Sequence, residues 1–226
     1  MAASVSISDH AGSLDAQLRK GFGPRVRKLH ARIGKAHHKA EGMKFSKALL
    51  AGQATPLQLA ALIRAIAPAY ALLEQEGPAL ASALGATAIP WLELARASAL
   101  EHDVELLSAV EPTPVSAAAA SWMEQLKTLV RQSPHRLMAH VYVRYGGDLS
   151  GGQQLAEEAN AIMRRQGLPS LQFWAFDQHL PLLKQGLHDG FEQMDLSESE
   201  EEELLEEAEV AFGATQRLLA ELADVC

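Results

Sequence analysis

Apolar residues recur at helical spacing along most of the 226-residue chain, and almost nowhere in the alternation that a half-buried strand requires. Val26, Leu29, Ile33, Ala36, His37 and Ala40 form one stripe, with Pro24 placed to open the helix that carries them. Thr55 and Pro56 read as an N-cap and a first helical residue; that helix is predicted to reach about Glu76, kinked at Pro68. Pro90 is predicted to open a further helix ending near Val110, ahead of the Pro112-Thr113-Pro114 break. Residues 115–132 read as helix, and Pro134 restarts the chain into a long helix to about Arg165, closed by the loop Gly167-Leu168-Pro169. Ser197 with Glu200 forms a capping-box pattern ahead of Leu204, Ala208, Phe212, Thr215, Leu219 and Leu222. The prediction is all-α: one domain of about seven to nine helices over 24–226, with short loops and no repeats. A partly flexible N-terminal extension over 1–23 precedes it.

Composition narrows the setting. The lone cysteine is the terminal Cys226, which rules out a disulfide within the chain and argues against thiolate metal sites. Residues 1–17 lack the basic opening and apolar run of a signal peptide, and no segment has roughly 20 uninterrupted apolar residues. A cytoplasmic protein that does not enter a membrane is expected. The net charge of −8 is unevenly laid out. Residues 19–47 hold ten Lys or Arg against one acid, Glu41, whereas 189–209 hold eleven acids and no Lys or Arg. Two readings stand: solvated helix faces, or a basic surface for an anionic ligand or acidic protein partner. Nucleic acid is not expected, because the chain is acidic and carries no nucleic-acid-binding motif.

Two segments carry chemistry. Gly146, Gly147, Gly151 and Gly152 interrupt an otherwise good helix, at roughly 1 kcal/mol each relative to alanine. On a continuous helix Gly147 and Gly151 would share one face, as would Arg144, Asp148 and Gly152. A face without side chains admits either a flat ligand or a second helix, and the charged Arg144 and Asp148 favour the ligand. The other segment is Gly34-Lys35-Ala36-His37-His38-Lys39-Ala40-Glu41. His37 lies on the apolar stripe, suited to a buried, hydrogen-bonded histidine or to a metal ligand. Glu41, one turn on, could accept the ring N–H opposite a metal and fix the tautomer. His38 is turned about 100° toward the polar side.

The run from Tyr142 to Gln153 resembles the distal-helix signature of the biliverdin-producing heme oxygenases, Tyr-x-Arg-Tyr-x-Gly-Asp-Leu-Ser-Gly-Gly-Gln. His37-x-x-Ala40-Glu41 resembles that family's proximal segment. Further agreement lies at Gly52-Gln53, at Tyr70 with Leu73 to Glu76, and at Ala99-Leu100-Glu101-x-Asp103. It continues at Ala139-His140, Lys184-Gln185, Glu206-Glu207-Ala208 and Ala211-Phe212, so that about residues 26–222 are covered. The resemblance implies an all-α fold with heme, both cofactor and substrate, between a proximal and a distal helix. It implies His37 as the iron ligand with Glu41 in its hydrogen-bonding environment, and Gly147 and Gly151 against the distal face. It gives Asp148, helped by Arg144 and Tyr70, a distal water network, Tyr142 and Lys184 the propionates, and Phe212 a place in the pocket wall. The implied reaction opens heme to biliverdin, carbon monoxide and ferrous iron. It uses dioxygen and electrons from a ferredoxin, a flavodoxin or an NAD(P)H-dependent reductase, for which the basic segment is a reasonable docking surface.

The chain departs from the family pattern at the propionate end. His30 and His188 stand where Lys and Arg are usual, Gly34 where Lys is usual, Ile33 where Thr is usual, and Gly146 where Leu is typical. Both histidines are expected to anchor propionates as cations, a bound propionate raising their pKa above the ordinary value of about 6.5. Their contribution to heme affinity is then expected to be present at low pH and to fade as pH rises through the raised value. A heme store or sensor of the same fold is the alternative activity. A di-iron oxygenase would need Glu-x-x-His, which the sequence lacks.

Overall fold

The structure is a computed structural model that describes residues 22–225. The extension expected over 1–23 therefore lies almost wholly outside the described residues, as does Cys226. Ten α-helices and no strand occur among the described residues. They are α1 (Pro24–Glu41), α2 (Lys44–Leu50), α3 (Pro56–Ala83), α4 (Trp91–Leu94), α5 (Ala97–Leu106), α6 (Ala117–Gln132), α7 (Pro134–Asp148), α8 (Gly152–Arg165), α9 (Leu180–Gln193) and α10 (Glu198–Leu222). A 3₁₀ turn, Leu107–Ala109, follows α5.

The predicted caps form. Thr55 and Gln58 close a capping box on α3, and Ser197 and Glu200 close another on α10. α3 runs past the predicted end at Glu76, with Pro68 and Pro78 both inside it. Tertiary packing overrides the breakers there. The buried stripe Leu59, Ile63, Ile66, Tyr70 and Leu73 continues through Gly77 to Ala81. A side chain at position 77 would begin 2.3 Å from the Trp91 ring, so glycine is what lets the indole close on the helix. An 18-residue window of α3, with mean hydropathy 1.5, is apolar enough to pass for a membrane span. Buried to 56%, it is the core helix around which α5, α6 and α7 pack.

Two predicted helices divide. The Pro90 helix becomes α4 and α5 because the Glu74 carboxylate accepts the N–H of Arg96 at 2.6 Å and of Ala97 at 3.0 Å, capping a new start. The long helix from Pro134 divides at Leu149–Gly151. Around the glycines the amides turn to carbonyls three residues back, Ser150 N to Gly147 O at 3.1 Å and Gln154 N to Gly151 O at 3.2 Å. The Gln153 amide donates to Asp148 O at 3.0 Å and Trp174 O at 3.2 Å, holding the break. The short helix α2 and the helix α9 were not anticipated.

α10 packs along both α1 and α7. The opposite charge blocks meet there, with Arg25 3.1 Å from Glu201, Arg32 3.6 Å from Glu209, Lys28 paired with Glu201 and Arg32 with Glu202. Three residues of the basic stretch, Arg25, Lys28 and Arg32, thus form an ion-pair seam between α1 and α10. Deeper in, His140 accepts from the Trp122 indole at 3.0 Å and faces the buried Glu207 carboxylate at 3.0 Å, which also takes Arg136 at 2.7 Å.

Candidate functional site

A cavity of about 710 Å³ lies between α1 on one side and the α7–α8 break on the other, with α10 forming a wall. That volume falls within the range of small-molecule and cofactor sites. Gly146, Gly147, Gly151 and Gly152 line one face, and Gly34, His37 and Glu41 the opposite one. A Cβ placed on Gly146, Gly147 or Gly151 would meet nothing within 4 Å; only at Gly152 would it press on chain, 3.1 Å from Gly147 O and 3.3 Å from the Trp174 ring. The glycines are therefore not a helix-packing seam. They leave backbone bare toward a void. Gly34, across the cavity, is equally unobstructed.

His37 projects from α1 with half of its side chain accessible, edge-on to Phe212 at 6.0 Å between ring centroids. Its Nδ1 lies 3.6 Å from Glu41 Oε1, which leaves Nε2 as the nitrogen available to a ligand. His38 also reaches the rim, its Nδ1 3.4 Å from the other oxygen of Glu41.

On the glycine side α3, α7 and α10 build a buried polar cluster. The Tyr70 hydroxyl donates a short hydrogen bond to Asp148 Oδ2, and Arg144 Nε donates to the same hydroxyl at 3.2 Å. The Arg144 guanidinium sits over the rings of Tyr70 and Trp122, at 5.5 and 5.7 Å, and reaches Thr215 Oγ1 at 3.4 Å. Burial pushes the Asp148 carboxyl up to about 6, against the opposing pull of Arg144, the Tyr70 hydroxyl and Arg96. Burial likewise raises the Tyr70 phenol well above its ordinary value.

At the far end Tyr142, Lys184, His30 and His188 converge. Phe22 stacks on His30 at 5.0 Å and meets His188 edge-on at 4.7 Å, while the Tyr142 ring lies 6.2 Å from His188. Burial, reinforced by Lys184 and His30, lowers His188 to about 4. Without ligand it is therefore neutral at physiological pH.

All twelve residues singled out from the sequence belong to this cavity or to the cluster behind it. His37, Glu41, Tyr142, Lys184, His188, His30, Phe212, Gly147, Gly151, Arg144 and Asp148 line it, and Tyr70 is held behind by Asp148. Three participants were missed. Phe22 lies before the first helix with no pattern to mark it, Trp174 sits in a loop, and Thr215 had been read only as part of an apolar stripe.

Residues 26–221 match the family model for heme oxygenase. The chain belongs to the heme oxygenase family. Its relatives include the heme oxygenase of Pyropia yezoensis, 28% identical over 196 residues, covering 83% of this chain and 81% of that one. Heme oxygenase 2 of Oryctolagus cuniculus is 32% identical over 202 residues, covering 83% of this chain and 62% of its own. The heme oxygenase structure from Leptospira interrogans superposes with a TM-score of 0.78 at 25% identity, over 88% of this chain and all of that one. Heme oxygenase-2 of Synechocystis, solved with heme and NO, superposes with a TM-score of 0.76 at 25% identity, over 89% of this chain and 86% of that one.

Proposed function

We propose that this chain degrades heme oxidatively in the cavity between α1 and the α7–α8 break. The chain is a heme-degrading enzyme, with heme its ligand and substrate; family membership carries that much. The observation that carries the rest is the bare glycine face set opposite His37 across a mostly apolar void. A flat macrocycle needs such a face, and a packing seam would not leave it empty.

His37 would hold the iron through Nε2, with its Nδ1–H directed at Glu41. Gly146, Gly147 and Gly151 would let backbone approach the opposite side of the ring. Tyr142 and Lys184, with His30 and His188, would receive the propionates at the far end. Bound heme supplies the iron at which dioxygen is reduced and the ring that is opened. The protein's own part is to govern protons. Asp148, with its carboxyl near 6, can take up and release a proton close to neutral pH. Tyr70 keeps its hydroxyl proton and donates it in a hydrogen bond to Asp148 Oδ2, while Arg144 Nε donates to the Tyr70 oxygen.

The products are biliverdin, carbon monoxide and ferrous iron, with electrons from a ferredoxin, a flavodoxin or an NAD(P)H-dependent reductase. Purified protein should bind one equivalent of hemin with a histidine-ligated absorption spectrum. With a reductase in air it should then yield biliverdin. A stable heme complex that never forms bilin under those conditions would refute the reading.

A further inference from the structure

His37, His38 and Glu41 sit on the last turn of α1. One carboxylate faces two imidazoles: Oε1 is 3.6 Å from Nδ1 of His37, and Oε2 is 3.4 Å from Nδ1 of His38. One ligand atom from each of the three residues can be chosen so that all lie within 4.8 Å of one another. Both N···O contacts exceed the usual hydrogen-bond length. They do match the separation of about 3.4 Å between neighbouring ligands of a tetrahedral metal with bonds of 2.0–2.2 Å. The spacing follows from the helix, since i+3 and i+4 bring Glu41 beneath both histidines. All three side chains are at least half accessible, so an ion can enter and retain water in a remaining position.

We propose that in the heme-free protein His37, His38 and Glu41 form a site for one divalent transition-metal ion. Two imidazoles and a carboxylate suit a borderline ion such as Zn²⁺ and disfavour Mg²⁺ or Ca²⁺, which take oxygen ligands. Occupancy closes the cavity to heme ligation through the tautomer of His37. A neutral imidazole carries one N–H. With a metal on Nδ1, the proton must sit on Nε2, and Nε2 has no lone pair left for heme iron. With iron on Nε2, the proton sits on Nδ1 and is directed at Glu41. The two states exclude each other without any movement of the helix. This exclusion rests on the assignment of His37 as the heme ligand; the metal site itself does not.

The test uses the tag-free full-length protein and Zn²⁺ alone. Calorimetric titration of the heme-free protein should show one Zn²⁺ per chain. His38→Ala should weaken it at least tenfold while leaving the heme spectrum and heme affinity in metal-free buffer unchanged. Saturating Zn²⁺ should raise the apparent Kd for hemin at least tenfold in the wild type and should have no such effect in His38→Ala. Zn²⁺ affinity unchanged by His38→Ala overturns the site. Zn²⁺ and histidine-ligated heme bound together on the wild type overturns the exclusion. If His37→Ala keeps a histidine-ligated heme spectrum without Zn²⁺, it is the heme-ligand assignment that fails, whatever the Zn²⁺ titration shows.

Discussion

Replacing Gly147 with alanine should stabilise the heme-free protein and impair heme binding at the same time. Gly146 and Gly147 lie in the last turn of α7, and neither has a positive φ, so alanine adopts their backbone without strain. A Cβ at either position meets nothing within 4 Å, so no steric cost offsets the gain in helix propensity. Glycine within a helix costs about 0.5–1 kcal/mol relative to alanine. For a chain of this length 1 kcal/mol shifts the melting midpoint by roughly 2–4 °C. Each single variant should therefore melt about 1–4 °C higher, and the Gly146→Ala/Gly147→Ala pair close to the sum.

In the heme-bound protein the added methyl enters the space assigned to the macrocycle. The hemin Kd of Gly147→Ala should rise about tenfold, equivalent to about 1.4 kcal/mol. Thermal unfolding of the heme-free variants and hemin titrations followed by absorbance check the two halves separately. Lower stability in Gly147→Ala would mean the glycine is required by chain packing after all. Higher stability with unaltered heme affinity would mean that the bare face is not the heme face.

Asp148→Asn should keep heme binding but lose most biliverdin formation, read in a reductase-coupled assay; an undiminished yield would remove Asp148 from proton transfer. The same substitution bears on folding. The carboxyl stands near 6 in the folded chain against an ordinary 3.8, so its favourable contribution is present below about pH 4 and lost as pH rises through 6. Asp148→Asn should gain stability over wild type between pH 4 and 7, reaching on the order of 2–3 kcal/mol by denaturant titration. His188 is lowered to about 4 without ligand, and a bound propionate would raise it. Its contribution to heme affinity is therefore complete below about pH 4 and fades as pH rises through the bound value. The difference in hemin affinity between wild type and His188→Ala should be larger at pH 5 than at pH 7.5, and a constant difference would rule out a cationic anchor. His140→Ala, which leaves the Trp122 indole N–H without its acceptor while Glu207 keeps Arg136 and Gln125, should cost about 1–3 kcal/mol in denaturant unfolding, and an unchanged midpoint would remove His140 from the core network.

The sequence made the site more legible than the architecture. His37 on an apolar stripe and four glycines beside Arg144 and Asp148 are local patterns, and the chain keeps each on one short segment. Helix ends set by distant groups were not legible. The start of α5 depends on Glu74, 22 residues earlier, and the persistence of α3 past Pro78 depends on burial against α5 and the Trp91 ring. The charge blocks were visible as composition, but their mutual pairing needed α1 and α10 to lie side by side in the same direction, with Arg25 at Glu201 and Arg32 at Glu209. The low titration of His188 in the heme-free chain was not legible, because its surroundings come from Phe22, His30, Tyr142 and Lys184, on three separate stretches of chain.

The features that disfavour the heme-free fold gather at one place. The bare glycines forgo helix propensity, the buried Asp148 carboxyl resists ionisation, and His188 is buried beside two potential cations. Elsewhere the buried carboxylates are paired, Glu207 with His140 and Arg136 and Asp103 with the N–H groups of Gln172 and Phe173, while the buried Trp91 indole N–H has no hydrogen-bond partner. A ligand that brings two carboxylates, a flat apolar body and an iron answers the His188, glycine and His37 features together. In the proposed arrangement it would give the histidines an anion, cover the glycine backbone and fix the tautomer of His37. Much of the stability absent from the heme-free chain is then returned on binding, as RT ln(1 + [L]/Kd). The heme complex should accordingly melt well above the heme-free protein, and the gap should narrow in Gly147→Ala from both sides, because that one substitution strengthens the empty state and weakens the filled one.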